Sequence, residues 1–403
     1  MRPNHLRRRD FLAGVGAVAL ASSCDRRRLP GDAGAPAASA APASSAWPEK
    51  SPALILHAER PPNLEMPLEH LRHDLTPNDL MFVRWHLAGV PTSVDLRTFR
   101  LTLAGHVDRP LSLSYDELRK LEPTSLVAVN QCSGNARALF SPRVPGVQWA
   151  GGALGNARWT GVRLRTLLDR AGVRAGARCV TLRGLDQPPI QGPPPFQKSL
   201  DIDRARDPDV LVAWAMNDQP LPMLNGFPLR LVVPGWYSTY WVKSLTELTV
   251  LDTAFEGFWM AKAYRVPKTD GADEAPEHLA TETVPISRMD VRSVVVRPEP
   301  GARLRLGAPC AMDGVAFDGG SGIARVEVSV DGGARWQDAQ LDPDLGKYSF
   351  RRWRFAWTPT EPGPRTIAVR ATSASGEVQR PTPQWNRGGY MRNVYERTPV
   401  VVS

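Results

Sequence analysis

Thirty-eight prolines spread over 403 residues constrain the fold of this chain more than any other feature. Proline lacks an amide proton and clashes with the preceding helical turn, so long helices and central strands must fit into the gaps between prolines. The expectation is a body of short strands and long loops, not a helical bundle. The length accommodates two domains, each with its own hydrophobic core.

Periodicity divides the chain in the same way. Alternation from Phe99 to Leu103 predicts a strand, and Ser114 followed by Asp116 and Glu117 predicts a short capped helix running to Leu121. Val162, Leu164, Leu167, Leu168 and Ala171 predict an amphipathic helix stopped by Gly172. Leu229 to Val233, ended by Pro234-Gly235, reads as a buried strand. Residues 50–287 are therefore expected to form a mixed α+β domain. From about Val291 onward only strands and turn signals remain: Arg303 to Leu306, Ala324 to Val330, Trp353 to Trp357 and Thr366 to Ala371. Residues 288–403 are expected to form an all-β sandwich of immunoglobulin-like type.

Residues 1–49 read as a leader and tether. Arg8-Arg9-Asp10-Phe11-Leu12 fits a twin-arginine export signal, and the apolar run Ala13 to Ala21 is too short to span a bilayer as a mature anchor. Cys24 closes Leu20-Ala-Ser-Ser-Cys24, a loose lipoprotein box, which leaves acylation at Cys24 and simple cleavage nearby as alternatives. Gly31 to Pro48 is rich in Ala, Pro and Ser, the composition of a disordered tether. The expected location is the periplasm. Of the net charge of +9, the leader carries +3. The remaining excess is modest and shows no basic run interleaved with aromatics, which argues against nucleic acid and for a pocket that takes a small anion.

Chemistry concentrates at Cys132, in Val127-Ala-Val-Asn-Gln-Cys-Ser-Gly-Asn-Ala-Arg137. An apolar strand delivers a lone thiol into a glycine-bearing turn with an arginine five positions on. Free cysteine is usually a buried small hydrophobe, but a thiol beside positive charge or a metal becomes a nucleophile or soft ligand. Cys24, Cys179 and Cys310 are widely spaced, and neither a zinc pattern nor a Cys-x-x-Cys-His haem site occurs.

Five segments, in order, resemble the sulfite oxidase family of molybdenum cofactor enzymes. They are Thr76-Pro-Asn-Asp-Leu-Met-Phe-Val-Arg-Trp-His86, Asn130-Gln-Cys-Ser-Gly-Asn135, Asn156-Ala-Arg-Trp-Thr-Gly161, Gly226-Phe-Pro-Leu-Arg-Leu-Val-Val-Pro-Gly235 and Glu327-Val-Ser-Val-Asp-Gly-Gly-Ala-Arg-Trp336. Tyr240-Trp-Val-Lys-Ser-Leu245 and Phe255-Glu-Gly-Phe-Trp-Met260 resemble the bacterial periplasmic sulfite dehydrogenases more than the vertebrate branch. The resemblance implies an α+β molybdopterin-binding domain followed by an immunoglobulin-like dimerisation domain, and so a possible homodimer through the C-terminal part.

The resemblance also implies residue roles. Cys132 would ligate molybdenum through its thiolate. Arg84, Arg137, Tyr264 and a C-terminal arginine would face sulfite, whose oxygens suit guanidinium forks. Trp149 would wall the pocket. Phe82, Val83, Arg84, Trp85, His86, Asp186, Asn225, Arg230, Trp241, Val242 and Lys243 would hold the pterin and its phosphate, Asn225 standing where vertebrate enzymes carry a histidine. The C-terminal arginine is expected within Trp385-Asn-Arg-Gly-Gly-Tyr390; alignment puts Gly388 at its position, with Arg387 one place early and Arg392 a further candidate. The implied activity is oxidation of sulfite to sulfate, with electrons passed singly to a separate c-type cytochrome, since this chain has no haem signature. Two alternatives stay open: a molybdopterin-dependent reductase of a sulfoxide or nitrate, and a non-catalytic exported binding protein.

Overall fold

The alternation at Phe99 to Leu103 becomes the strand Arg100–Gly105, with Leu101 and Leu103 turned into the core. These positions come from a computed structural model that describes residues 47–269 and 274–403. The twin-arginine segment and Cys24 lie outside the described residues. Arg100–Gly105 pairs antiparallel with Leu111–Ser114 and parallel with Leu245–Leu251, and the sheet continues through Cys179–Gly184 to Gln197–Asp201. Ser114 caps the helix Tyr115–Arg119 reciprocally: its Oγ accepts from Glu117 N, and the Glu117 carboxylate accepts from Ser114 N. That is the capping box expected from a Ser-x-x-Glu spacing.

The second predicted helix is Leu164–Ala171, which buries Leu164, Leu167, Leu168 and Ala171 and stops where Gly172 adopts φ 67°. Val162 does not belong to it. It lies in the strand Leu154–Arg163, which is hydrogen-bonded on both sides, to Thr124–Gln131 and to Leu211–Met216. A doubly paired strand keeps an apolar residue in the ladder even where helical spacing also fits it.

This second sheet carries the cysteine loop. Gln131 pairs with Leu154 at the end of the ladder, so the chain leaves the sheet at Cys132 and returns at Ala153, where the Cys132 amide donates to the Ala153 carbonyl at 2.9 Å. A small sheet of Ile55–Glu59, Pro62–Glu65 and Val83–Arg84 stands nearby. It is tied to the returning loop by Glu65, which accepts from the amides of Ala150, Gly151 and Gly152 at 2.7–3.0 Å and from His57 Nε2 at 2.6 Å. Although burial opposes ionisation, these donors hold the Glu65 carboxyl below its ordinary range.

The C-terminal strands form two sheets. One runs Arg292–Arg297, Cys310–Phe317, Arg351–Trp357, Gln340–Leu341; the other runs Arg303–Leu304, Arg397–Val402, Gly363–Ser373, Ile323–Ser329, Gln337–Asp338. Their facing sides bury Met312, Val326, Val328, Trp353, Ile367 and Val369, the two-layer core of a β-sandwich. The first sheet also turns Val294, Val296, Val315 and Phe317 into the core of the preceding α+β part, where Tyr348 and Phe350 join them. The fold class is thus a mixed α+β body followed by a β-sandwich.

Candidate active site

The loop after Cys132 is built to hold a guanidinium. Asn135 ties it across, donating to the Gly151 carbonyl at 2.8 Å and accepting from the Ala153 amide at 3.0 Å. Ala136 takes the left-handed conformation at φ 63°, which turns the chain so that Arg137 runs back beneath the loop. The Arg137 side chain is buried. Its Nε donates to the Gly388 carbonyl at 3.0 Å and its Nη1 to the Val147 carbonyl at 3.0 Å. A β-carbon at Gly134 would lie 2.2 Å from Arg137 Nη2, and one at Gly389 2.8 Å from its Cγ. Gly389, at φ 56°, would be strained by any side chain, and a side chain at Gly134 would have to displace the Arg137 guanidinium.

Arg84 ends the strand Val83–Arg84, and its Nη1 donates to Asn63 Oδ1 at 3.3 Å and to the Trp85 carbonyl. Two residues on, His86 stacks on Phe196 at 4.1 Å, and its Nε2 is hydrogen-bonded to the Tyr264 hydroxyl. Desolvation, followed by the fields of Arg84, Lys243 and Lys198, holds the His86 pKa well below the usual imidazole value. The ring is neutral at physiological pH. Tyr264 is itself in the left-handed region, at φ 59°, and buried. Burial raises its phenol pKa, and the charges of Arg84, Tyr390, Cys132 and Arg137 all act on it. Cys132, Arg84, Arg137 and Tyr264, separated by up to 180 positions in sequence, thus share one electrostatic environment.

Behind this group lies a second set of buried cations. Lys243 Nζ donates to the Arg84 carbonyl at 2.5 Å and sits 4.3 Å from the Trp85 ring centre. Desolvation pushes its pKa down, Arg230 adds to the effect, and Asp186 opposes it. Asp186 is buried, and desolvation raises its pKa to about 6 against the pull of Lys243. Arg230 lies against the rings of Trp159 and Trp241, which touch each other edge to face, and donates to the Asn225 carbonyl and to Asn130 Oδ1. Burial lowers its pKa to about 9. Asn225 Nδ2 donates to the Phe82 carbonyl at 3.2 Å, while the Trp85 indole donates to the Leu224 carbonyl and the Val242 carbonyl accepts from Leu231.

Those contacts leave much unmet. Asn130 Nδ2, Ser133 Oγ, Asn225 Oδ1, Arg230 Nε, Ser244 Oγ and the Trp149 indole nitrogen are buried without a hydrogen-bond partner. Buried polar groups are almost always paired, and buried like charges repel unless an anion lies between them. The orphaned polar atoms of Asn130, Asn225, Arg230 and Ser244, beside Lys243, fit a polar, phosphate-bearing cofactor, and Cys132 would hold its metal end.

The C-terminal wall differs from expectation. Arg387 does not face Arg137: its Nε and Nη2 donate to Glu274 at 3.0 and 2.5 Å, and Nη2 also donates to the Ala280 carbonyl. Glu274 is almost fully buried and attracts the nearest guanidinium. Arg392 is also turned away, paired bidentately with Glu396 at 3.0 Å. The residue of this segment that reaches the pocket is Tyr390, which stacks on Tyr264 at 5.2 Å and lies under the Arg137 guanidinium.

Residues 86–259 match the oxidoreductase molybdopterin binding domain, and residues 283–403 match the Mo-co oxidoreductase dimerisation domain. Mitochondrial sulfite oxidase of Mus musculus is 35% identical over 391 residues, covering 93% of this chain and 70% of that protein. The chain belongs to the sulfite oxidase family. Gallus gallus sulfite oxidase is 36% identical over 370 residues, 87% of this chain and 78% of that protein. The crystal structure of the sulfane dehydrogenase SoxCD from Paracoccus pantotrophus superposes with a TM-score of 0.72 at 25% identity, over 84% of each chain. As a member of the sulfite oxidase family, the chain is a molybdopterin-dependent oxidoreductase that uses the molybdenum cofactor.

Three residues near the site escaped sequence reasoning. Lys198, fully buried, donates to the Trp259 carbonyl at 2.6 Å and lies over the rings of Tyr240 and Tyr264. Burial lowers its pKa to about 7, with a further contribution from Arg265. Glu65 orients the loop behind Trp149, and Tyr390 closes the far wall. Lys198 shares a face with Leu200 in the strand Gln197–Asp201, whose three middle residues are all buried, and that spacing was the one local signal for it. Glu65 and Tyr390 carry no local signal, because only the tertiary fold brings them to the loop.

Proposed function

We propose that this protein oxidises sulfite to sulfate, taking the added oxygen from water and releasing two protons and two electrons per turnover. The observation that carries the reading is the chain of contacts leading from the Cys132 loop to Tyr264, Arg137 against the Tyr390 ring and Tyr390 stacked on Tyr264, in a member of the sulfite oxidase family. When bound, the molybdenum cofactor supplies the two-electron redox centre. Cys132 would ligate the metal, soft sulfur suiting a redox-active ion. Arg230 and Lys243 would meet the phosphate, with Asp186, Asn225, Trp241 and the Phe82–His86 backbone around the pterin.

The chain's own task is to bind and orient the anion. Arg84 and Arg137 present guanidinium groups to the sulfite oxygens. Tyr264, kept protonated by burial, donates from the side while its oxygen accepts from neutral His86 in the Nε2–H tautomer, and the pair offers a relay for the protons released. The enclosed aromatic walls exclude bulk water, which strengthens each of these charge interactions. Electrons would leave singly to a separate c-type cytochrome, as suits a chain whose sequence holds no Cys-x-x-Cys-His motif.

Sulfite-dependent reduction of cytochrome c by purified, molybdenum-loaded protein tests the proposal, and absence of turnover from fully loaded protein would sink it. Running the same assay with a sulfane-bearing substrate separates sulfite oxidation from the activity named for SoxCD. Export through the twin-arginine signal, with or without acylation at Cys24, and a homodimer formed through residues 288–403 complete the proposal. Fractionation of cells expressing Arg8→Lys/Arg9→Lys protein and light scattering of the mature protein are the respective checks.

A further inference from the structure

We infer that Tyr390 is a further substrate-contacting residue, a phenol donor that closes the anion pocket where a third cation would otherwise stand. The inference rests on the anion-binding reading above but concerns a residue that reading does not use. Tyr390 is held in place by its own turn. Its amide donates to Asn386 Oδ1 at 2.9 Å, Asn386 Nδ2 returns a bond to the Tyr390 carbonyl at 2.8 Å, and the next amide, Met391, donates to the Ser133 carbonyl beside Cys132. A β-carbon at Gly388 would lie 2.1 Å from the tyrosine ring, so the ring folds back over a position that only glycine can occupy.

The ring's neighbours define what it can do. One face stacks on Tyr264 at an interplanar angle of 19°, and the Arg137 guanidinium lies 5.4 Å from the ring centre. The charges acting on its phenol are those of Arg137, Cys132 and Arg84. A phenol hydroxyl has one proton to donate. No carbonyl or carboxylate among the described residues takes that proton. Desolvation holds the phenol protonated, so the hydroxyl remains a donor across the working pH range.

The only other candidates from this segment are withdrawn, Arg387 onto Glu274 and Arg392 onto Glu396. The pocket therefore offers two guanidinium groups and two phenols to an oxyanion. A neutral donor adds a directed hydrogen bond to one oxygen without adding charge, so Tyr390 contributes to anion recognition independently of the anion's charge state.

Tyr390→Phe keeps the ring, the stack and the turn while removing only the hydroxyl. Affinity of the molybdenum-loaded enzyme for inorganic sulfate is measured by titration calorimetry, and the KM and kcat for sulfite are measured alongside. The expected result is roughly a tenfold or greater loss of sulfate affinity, the range for a hydrogen bond to a charged group, with a matching rise in KM, a smaller change in kcat and unchanged molybdenum content. Sulfate affinity within twofold of wild type overturns the inference. If wild type fails to oxidise sulfite, the proposed reaction fails, yet the sulfate comparison still judges Tyr390. Absence of sulfate binding by the wild-type holoenzyme overturns both.

Discussion

Cys132 and Lys243 illustrate opposite demands on single residues. Cys132 sits at the exit of a strand whose hydrogen bonds do not depend on its side chain, so Cys132→Ser should fold and retain pterin while losing turnover by at least about a hundredfold, the loss of a metal-ligand bond being felt in the chemistry and not the scaffold. Pterin fluorescence after denaturation, set against sulfite turnover, checks this; normal turnover would remove Cys132 from the metal. Lys243 is the reverse case. In the cofactor-free protein desolvation is the largest force against its charge, Arg230 adds to it and Asp186 opposes it, so Lys243→Met should raise the melting temperature of the apoprotein, by roughly 2–5 °C, and impair cofactor retention. Thermal scans of apoprotein and pterin assays of holoprotein measure the two effects, and a lower apoprotein melting temperature would contradict the argument. Glu65 adds a pH effect. Its folded-state pKa is depressed, so its stabilisation is complete above the unfolded carboxyl value and fades as pH falls through the lower folded value. Glu65→Gln should therefore flatten the acid limb of the stability profile, as followed by urea denaturation from pH 6 to pH 3. The cysteine loop was legible in sequence because strand, glycine turn and arginine are contiguous. Arg387 was misplaced because Glu274, which captures it, lies 113 positions away and no local pattern encodes that pairing.

At the scale of elements, the sequence reading succeeded where a signal was local and failed where a partner strand decided. The Ser114 capping box and the Gly172 stop are contained within a few residues, whereas the strand identity of Val162 depends on pairing with residues about fifty positions away on the Leu211–Met216 side. The loop returning from Cys132 shows the same dependence. A β-carbon at Gly152 would lie 1.7 Å from the Met66 carbonyl oxygen, a backbone atom that cannot move without disturbing the Glu65 clamp. Gly152→Ala should cost more than about 3 kcal/mol and loosen Trp149 and the cysteine loop together. The measurement is the denaturation midpoint with molybdenum content. A variant of wild-type stability would show that the two segments are not in close register.

The whole molecule couples its sandwich to its redox site in two ways. Val294, Val296, Val315 and Phe317 pack into the core of the α+β part, and Arg292 donates to Gln131 Oε1 at 2.9 Å, one residue before Cys132. Separately, the Gly388 carbonyl receives Arg137 and the Met391 amide binds the Ser133 carbonyl. A chain cut at the proposed boundary after residue 287 would leave the first part with an uncovered apolar face and Arg137 with one of its two carbonyl partners missing. Because a shared core propagates unfolding across the boundary, residues 50–403 should melt in one cooperative transition, whereas residues 50–287 expressed alone should aggregate or expose apolar surface to a hydrophobic dye. Calorimetry of the intact body and dye binding of the fragment measure this directly. Two well-separated transitions, with a soluble fragment that keeps its molybdenum cofactor, would show that the sandwich serves only association between copies of the chain. The contacts to Gln131, Ser133 and Arg137 argue instead that the sandwich also sets the geometry of the anion pocket.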